Sequence, residues 1–151
     1  MTTPAIRPVA AGDKAAWLHL WHGYLAFYDK ALDPKITEAT WRRLLDESQP
    51  IHGLVALDGT TIFGFANYVL HPGTWTDRPV CYLEDLFVAP DARGHGAGRA
   101  LIESLVERAK ALGWYRIYWQ TRQNNASARR LYDRMTPATD WVRYDIAVTT
   151  D

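Results

Sequence analysis

The sequence predicts one α/β domain built on a mixed β-sheet flanked by helices, and three observations carry that prediction. Its 151 residues and 48% hydrophobic content suit one globular core. Segments with helical apolar spacing alternate with short strand-forming runs, in the order βααβββαβαβ. A helical segment links Val80–Val88 to Arg116–Gln120. Such a crossover joins parallel strands, so the sheet is mixed. No repeat, linker or low-complexity tract interrupts residues 1–151, which are expected to form a single domain.

The elements follow in chain order. Ile6–Val9 forms a short first strand. Asp13 can cap a helix, and Trp17, Leu20, Trp21, Tyr24, Leu25 and Tyr28 then fall on one helical stripe. Leu32-Asp33-Pro34 breaks it, and Thr37 opens a shorter helix with Trp41, Leu44 and Leu45 on one face. Ile51–Leu57 and Thr61–Leu70 are strands joined by a tight turn at Asp58-Gly59. The segment His71–Pro79 holds two Pro, a Gly and a Trp and is a loop. Val80–Val88 is a strand, ended by Ala89-Pro90-Asp91. A helix then runs to about Leu112, where Gly113 is a suitable stop. Arg116–Gln120 is a short strand, and Asn125 begins a helix carrying Ala128, Leu131, Tyr132 and Met135. Pro137 ends that helix, and Trp141–Val148 is a last strand.

The totals exclude several functions. Seventeen basic and 17 acidic residues give zero formal charge, which argues against a nucleic-acid partner. No apolar run approaches a membrane span, and the N-terminal residues do not resemble a signal peptide. Cys81 is the only cysteine, so no internal disulfide forms and a cytoplasmic home is expected.

The strongest signal is Arg93-Gly94-His95-Gly96-Ala97-Gly98-Arg99 between a strand and a helix. Glycines at alternate positions let backbone amides gather around one point. A helix N-terminus adds free N–H groups and positive partial charge, which together make an anion site suited to a pyrophosphate. Arg93 and Arg99 can add charge-assisted contacts. A P-loop needs a Gly-Lys-Ser/Thr ending, and a dinucleotide fingerprint needs a different glycine phase; neither is present.

With these residues in view, the chain resembles the GCN5-related N-acetyltransferases. Arg93-Gly94-His95-Gly96-Ala97-Gly98 matches their R-G-x-G-x-G form. The strand Tyr82-Leu83-Glu84-Asp85-Leu86-Phe87-Val88, Pro90 after it, and Asn125 with Ala128, Leu131 and Tyr132 are similar to the same family. The motif region covers about a third of the chain, and the element order nearly all of it. The Tyr-Leu-Glu-Asp-Leu strand and Tyr118-Trp119 look like the polyamine, histone and D-amino-acid acetyltransferase branches. One departure is Met135-Thr136-Pro137-Ala138, where many members carry Gly-Phe.

The resemblance implies acetyl-CoA as co-substrate. Backbone groups of Leu86, Phe87 and Val88 should pair with its pantetheine arm. The turn Arg93–Arg99, with Gly94, His95, Gly96, Ala97 and Gly98, should hold the pyrophosphate, and Asn125 should touch the pantetheine. Tyr132, placed seven residues after Asn125, is the expected acid for the leaving thiolate. Glu84 is the expected base, acting through water. Asp85 points to the opposite face of a regular strand, unless a bulge re-aims the pair. The acceptor cleft should draw on the first helices and the loop before the central strand. Asp85, Tyr28 and Trp75 are the named acceptor-binding residues, with Trp21, Tyr24 and Asp77 as further candidates.

Blander readings stand beside these. The helix aromatics have the spacing of a core stripe. Tyr132 also fits a packed position one turn from Ala128. Cys81 is a small strand hydrophobe rather than a nucleophile. His19 and His22 lack a third ligand, so no metal is expected. The expected function is acetylation of a small primary amine, polyamine or amino-acid-like, by direct transfer. The alternatives are a protein lysine or N-terminal acetyltransferase and a non-catalytic acyl-CoA-binding module. Aromatic-rich termini, together with the resemblance, point to a homodimer.

Overall fold

In a computed structural model, which describes residues 3–149, a five-stranded sheet has the order β1-β2-β3-β4-β5. The strands are β1 (Ala5–Pro8), β2 (Ile51–Asp58), β3 (Thr61–His71), β4 (Val80–Val88) and β5 (Arg116–Tyr118). The first four pair antiparallel in sequence order, and β4 and β5 run parallel. The expected mixed sheet is therefore present. The helices are α1 (Lys14–Phe27), α2 (Pro34–Leu44), α3 (Ala97–Leu112) and α4 (Ala126–Met135). The chain divides into two compact units, residues 1–120 and 121–151.

In the first unit, α1 lies against β3 and β4, and α2 against β2. Trp17, Leu20, Trp21, Trp41, Leu44, Val55, Phe65 and Phe87 form their shared core. Trp17 stacks on Trp21 with centroids 5.2 Å apart and meets Trp41 at the same distance. Each such ring pair contributes about 0.5–1.5 kcal/mol beyond its buried area. Leu54, Ala56, Ala66 and Tyr68 alternate with these residues along β2 and β3, so they face the other side, where α3 packs. Buried Leu101, Ile102 and Leu105 are the inward stripe of α3.

Several expectations are corrected. Asp13 precedes α1, but its side chain does not cap that helix. Its carboxylate instead accepts two bonds from Arg7, at 2.7 and 3.0 Å, and one from the Ala10 N–H at 2.8 Å. A buried carboxylate beside a guanidinium gains more from that fork than from one helix N–H. The second helix starts at Pro34, not Thr37, because Asp33 caps it through the Lys35 N–H and proline suits the first helical position. The short strand before α4 stops at Tyr118 rather than Gln120.

The second unit contains α4. The expected last strand Trp141–Val148 is not a strand: residues 137–149 belong to no helix or strand. Trp141, Val142, Tyr144, Ile146 and Val148 are exposed there, Val148 to 92%. Alternating residues can form a strand only where a partner supplies the ladder bonds.

Candidate active site

The site is built around β4. On one side, Leu86, Phe87 and Val88 pair with Ala66, Phe65 and Gly64 of β3. On the other, β5 accompanies only Val80, Cys81 and Tyr82. Beyond Tyr82, no strand among the described residues covers that edge of β4. Its backbone groups from Glu84 to Phe87 therefore have no strand partner on that side, and such an edge can take an extended chain with amides as an added strand.

The glycine turn follows β4 after a short 3-10 turn at Pro90–Ala92. Gly94 and Gly96 adopt φ of +85° and +83°, a region that disfavours side chains. Gly96 immediately precedes α3, and its carbonyl accepts the Ala100 N–H at 2.9 Å. The earlier N–H groups of the helix have no intrahelical acceptor. Gly94, His95 and Gly96 are exposed, Ala97 is buried as the first core contact of α3, and Gly98 is half-buried. Arg93 Nε donates to the Val88 carbonyl at 3.0 Å, and its guanidinium covers the Phe87 ring at 5.4 Å. Arg99 Nε pairs with Glu103 at 2.7 Å. Arg93 is thus tethered beside the turn, and Arg99 is tied to the next turn of α3.

One of the two carboxylates sits on a bulge. Asn67 opposes Asp85 and Tyr68 opposes Leu83, so Glu84 is the extra residue on β4. Glu84 is exposed, while Asp85 turns to the α1 side and is partly buried. Asn67 Nδ2 donates to Asp85 Oδ2 at 3.1 Å, and the Tyr24 hydroxyl also bonds to Asp85. Burial pushes the Asp85 carboxyl up to about 6; the bonds from Tyr24 and Asn67 oppose this, and the charge of Glu84 adds to it. Burial, then Asp85, also raises Tyr24, which stays a protonated donor. Asn67 is 3% exposed, and its Oδ1 has no partner among the described residues.

Of the acceptor candidates, Trp21 is core. Tyr28 is half-buried with its ring 5.0 Å from Tyr24. Trp75 is 81% exposed. It lies in the loop that, with Leu70 and His71, borders a cleft of about 330 Å³ including Thr76, Asp77 and Arg78. Cys81 is fully buried with its thiol pushed up to about 12 by burial, which keeps it unreactive. His19 and His22 are exposed on α1.

In the second unit, Asn125 is the N-cap of α4. Its Oδ1 accepts the Ala128 N–H at 3.4 Å and its Nδ2 donates to Thr121 Oγ1 at 3.0 Å. Tyr132 lies two turns along the same helix and is half-buried.

Sequence reasoning did not single out Asn67, His71 or Arg116. A polar Asn in the apolar run Phe63–Leu70 was the available sign for the first. The other two become visible only once strand register is known.

Residues 15–136 match the Acetyltransferase (GNAT) family. The chain belongs to that family. It is therefore an acetyltransferase, as the resemblance carried by Arg93–Gly98, the β4 strand and Asn125–Tyr132 implied. It is 35% identical over 141 residues to a D-amino-acid N-acetyltransferase of Saccharomyces cerevisiae, covering 92% of this chain and 88% of that one. It is 32% identical over 142 residues to a thialysine N-epsilon-acetyltransferase of Sus scrofa, covering 87% and 82%. The fold is shared with a ribosomal-protein-alanine N-acetyltransferase from Brucella melitensis biovar Abortus 2308 at a TM-score of 0.81 and 23% identity, covering 95% and 99% of the two chains. Among the described residues no helix is long and apolar enough to cross a membrane.

Proposed function

We propose that this acetyltransferase moves the acetyl group of acetyl-CoA to a primary amine of a small molecule, by direct transfer in a ternary complex. One observation carries the reading: among the described residues β4 has no partner strand on its β5 side beyond Tyr82, and one short 3-10 turn separates its end from the positive-φ glycine turn. Pantetheine carries amides that can add to Leu86, Phe87 and Val88, and the pyrophosphate then falls to Arg93–Arg99 and the α3 N-terminus. Asn125 is assigned to the pantetheine as well. The names of the yeast and pig relatives favour a small amine over a protein lysine or N-terminus.

In the proposed reaction Glu84, through water, takes the proton that the attacking amine loses. A backbone N–H near Leu86 or Phe87 donates to the carbonyl oxygen as negative charge develops there. The amine nitrogen–acetyl carbon bond forms and the carbon–sulfur bond breaks. Tyr132 gives its hydroxyl proton to the leaving sulfur. Asp85, Tyr28 and Trp75 are assigned to acceptor binding; a carboxylate beside aromatic faces suits a cation. A buried lone cysteine is at home in a reducing compartment, so we place the enzyme in the cytoplasm.

A homodimer joined through residues 141–148 is the assembly we favour. Val142, Tyr144, Ile146 and Val148 alternate with polar or small residues and are all exposed, a pattern that suits pairing with a second copy.

The test is mass spectrometry of amine panels (polyamines, D- and L-amino acids, aminoglycosides, a Lys peptide) after incubation with acetyl-CoA. An acetylated small amine is the expected product. Modification of the peptide alone would transfer the function to protein acetylation. Binding of acetyl-CoA without any product would make the chain a binding module.

A further inference from the structure

One face of the sheet carries more than the carboxylates. Val69 opposes Tyr82, and Tyr82 opposes Tyr118. Opposed residues share a face, as do residues two apart on a strand. Asn67, Val69 and His71 of β3, Asp85 and Tyr82 of β4, and Tyr118 and Arg116 of β5 therefore line the same side. The contacts agree: Tyr82 and Tyr118 stack at 4.9 Å, and the Tyr118 hydroxyl lies 2.8 Å from His71 Nε2.

His71 fixes the polarity of this row. Its Nδ1 is 2.8 Å from the Pro72 carbonyl oxygen, which can only accept, so Nδ1 carries a proton. In the neutral ring Nε2 then accepts from Tyr118. The Tyr118 ring is held at both its hydroxyl and its stacked face. The Arg116 guanidinium rests over it, 4.7 Å from the centroid. Among the described residues Arg116 has no acidic partner.

The face thus has Asp85 beside the bulge, the stacked rings of Tyr82 and Tyr118 next along it, and at the far end a guanidinium with no acidic partner among the described residues. Arg116 opposes Val80, so its backbone lies roughly 13–16 Å from Asp85 along the strand, less the reach of the two side chains, and its guanidinium folds back over Tyr118. An α-amino acid, with amine and carboxylate on one carbon, is too short to touch both ends. A polyamine would set a cation against Arg116.

We infer that the acceptor is a lysine-like amine whose carboxylate lies several bonds from the reacting nitrogen, and that Arg116, laid on Tyr118 and backed by His71, holds that carboxylate. This rests on the acetyl-transfer reading above. Arg116 is a specificity determinant, and Tyr118 and His71 position it.

The test compares amines that differ only in the carboxylate: lysine with cadaverine, and 6-aminohexanoate with hexylamine. Wild type is expected to favour the carboxylate-bearing member at least tenfold in kcat/KM. Arg116→Met should collapse that ratio toward one, and Arg116→Lys should restore part of it. Equal wild-type rates within each pair, or a ratio that survives Arg116→Met, would overturn the inference. Calorimetric binding of 6-aminohexanoate and hexylamine to the CoA-loaded chain separates the two readings. If nothing is acetylated, yet 6-aminohexanoate alone binds and Arg116→Met abolishes it, acetyl transfer falls and the carboxylate site stands. If transfer occurs without any carboxylate preference in rate or binding, only the carboxylate site falls.

Discussion

Asp85 shows how a residue proposed to bind the acceptor can cost stability. Its carboxyl is raised to about 6 by burial, above the ordinary unfolded value near 4. Between those values the folded chain binds more protons than the unfolded one. Stability therefore falls as pH rises through this window, and ionised Asp85 costs on the order of 1–3 kcal/mol above it. Asp85→Asn keeps an acceptor for Asn67 and Tyr24 and removes the charge. Its chemical-denaturation stability is expected to exceed wild type at pH 8 by about that amount, with little difference at pH 4, while its KM for the amine rises. A stability gain of equal size at both pH values would remove buried charge as the cause. The Glu-Asp pair was legible in the sequence, but the bulge at Glu84 was not. Alternation along one strand cannot reveal an extra residue; only the pairing of Asn67 with Asp85 and Tyr68 with Leu83 does.

At the scale of elements, the glycine turn joins β4 to α3 and depends on backbone conformation rather than crowding. An added Cβ at Gly94 or Gly96 meets nothing within 4 Å, yet both residues have positive φ. Gly96→Ala is therefore expected to cost about 1–2 kcal/mol without a steric clash. It should also weaken acetyl-CoA binding at least tenfold by calorimetry, because the α3 amides turn away. Unchanged affinity would remove the turn from the cofactor site. These glycines were readable because few other roles need three of them in alternation across a helix start. The start of α2 at Pro34 was less readable. A proline that breaks one helix is also the favoured first residue of the next, and only the Asp33 cap distinguishes the two cases. The register that brings Arg116, Tyr118 and His71 to one face is likewise a property of three strands together. It leaves no mark in any one of them.

At the scale of the whole molecule, the aromatic core and the C-terminal segment respond differently to change. Phe65 is fully buried among Trp17, Trp21, Tyr24 and Phe87, so Phe65→Ala should lose about 3–5 kcal/mol in denaturant titration. Tyr144 and Ile146 are each 90% exposed. Replacing both with Asp should leave single-chain stability within about 0.5 kcal/mol and convert the sedimenting species from dimer to monomer. A wild-type chain that sediments as a monomer would end the dimer reading. The sequence pattern of residues 141–148 is that of a strand, and it misled because patterning shows which face is apolar, not whether a partner strand is present. The central claim, acetyl transfer to an amine with Tyr132 as the acid, is tested most directly by thiol release from acetyl-CoA in the presence of lysine, with wild type beside Tyr132→Phe. Amine-dependent release that falls about 10²-fold or more in the variant, with acetyl-CoA affinity unchanged, is the result this account predicts. Equal release by the two proteins would contradict it.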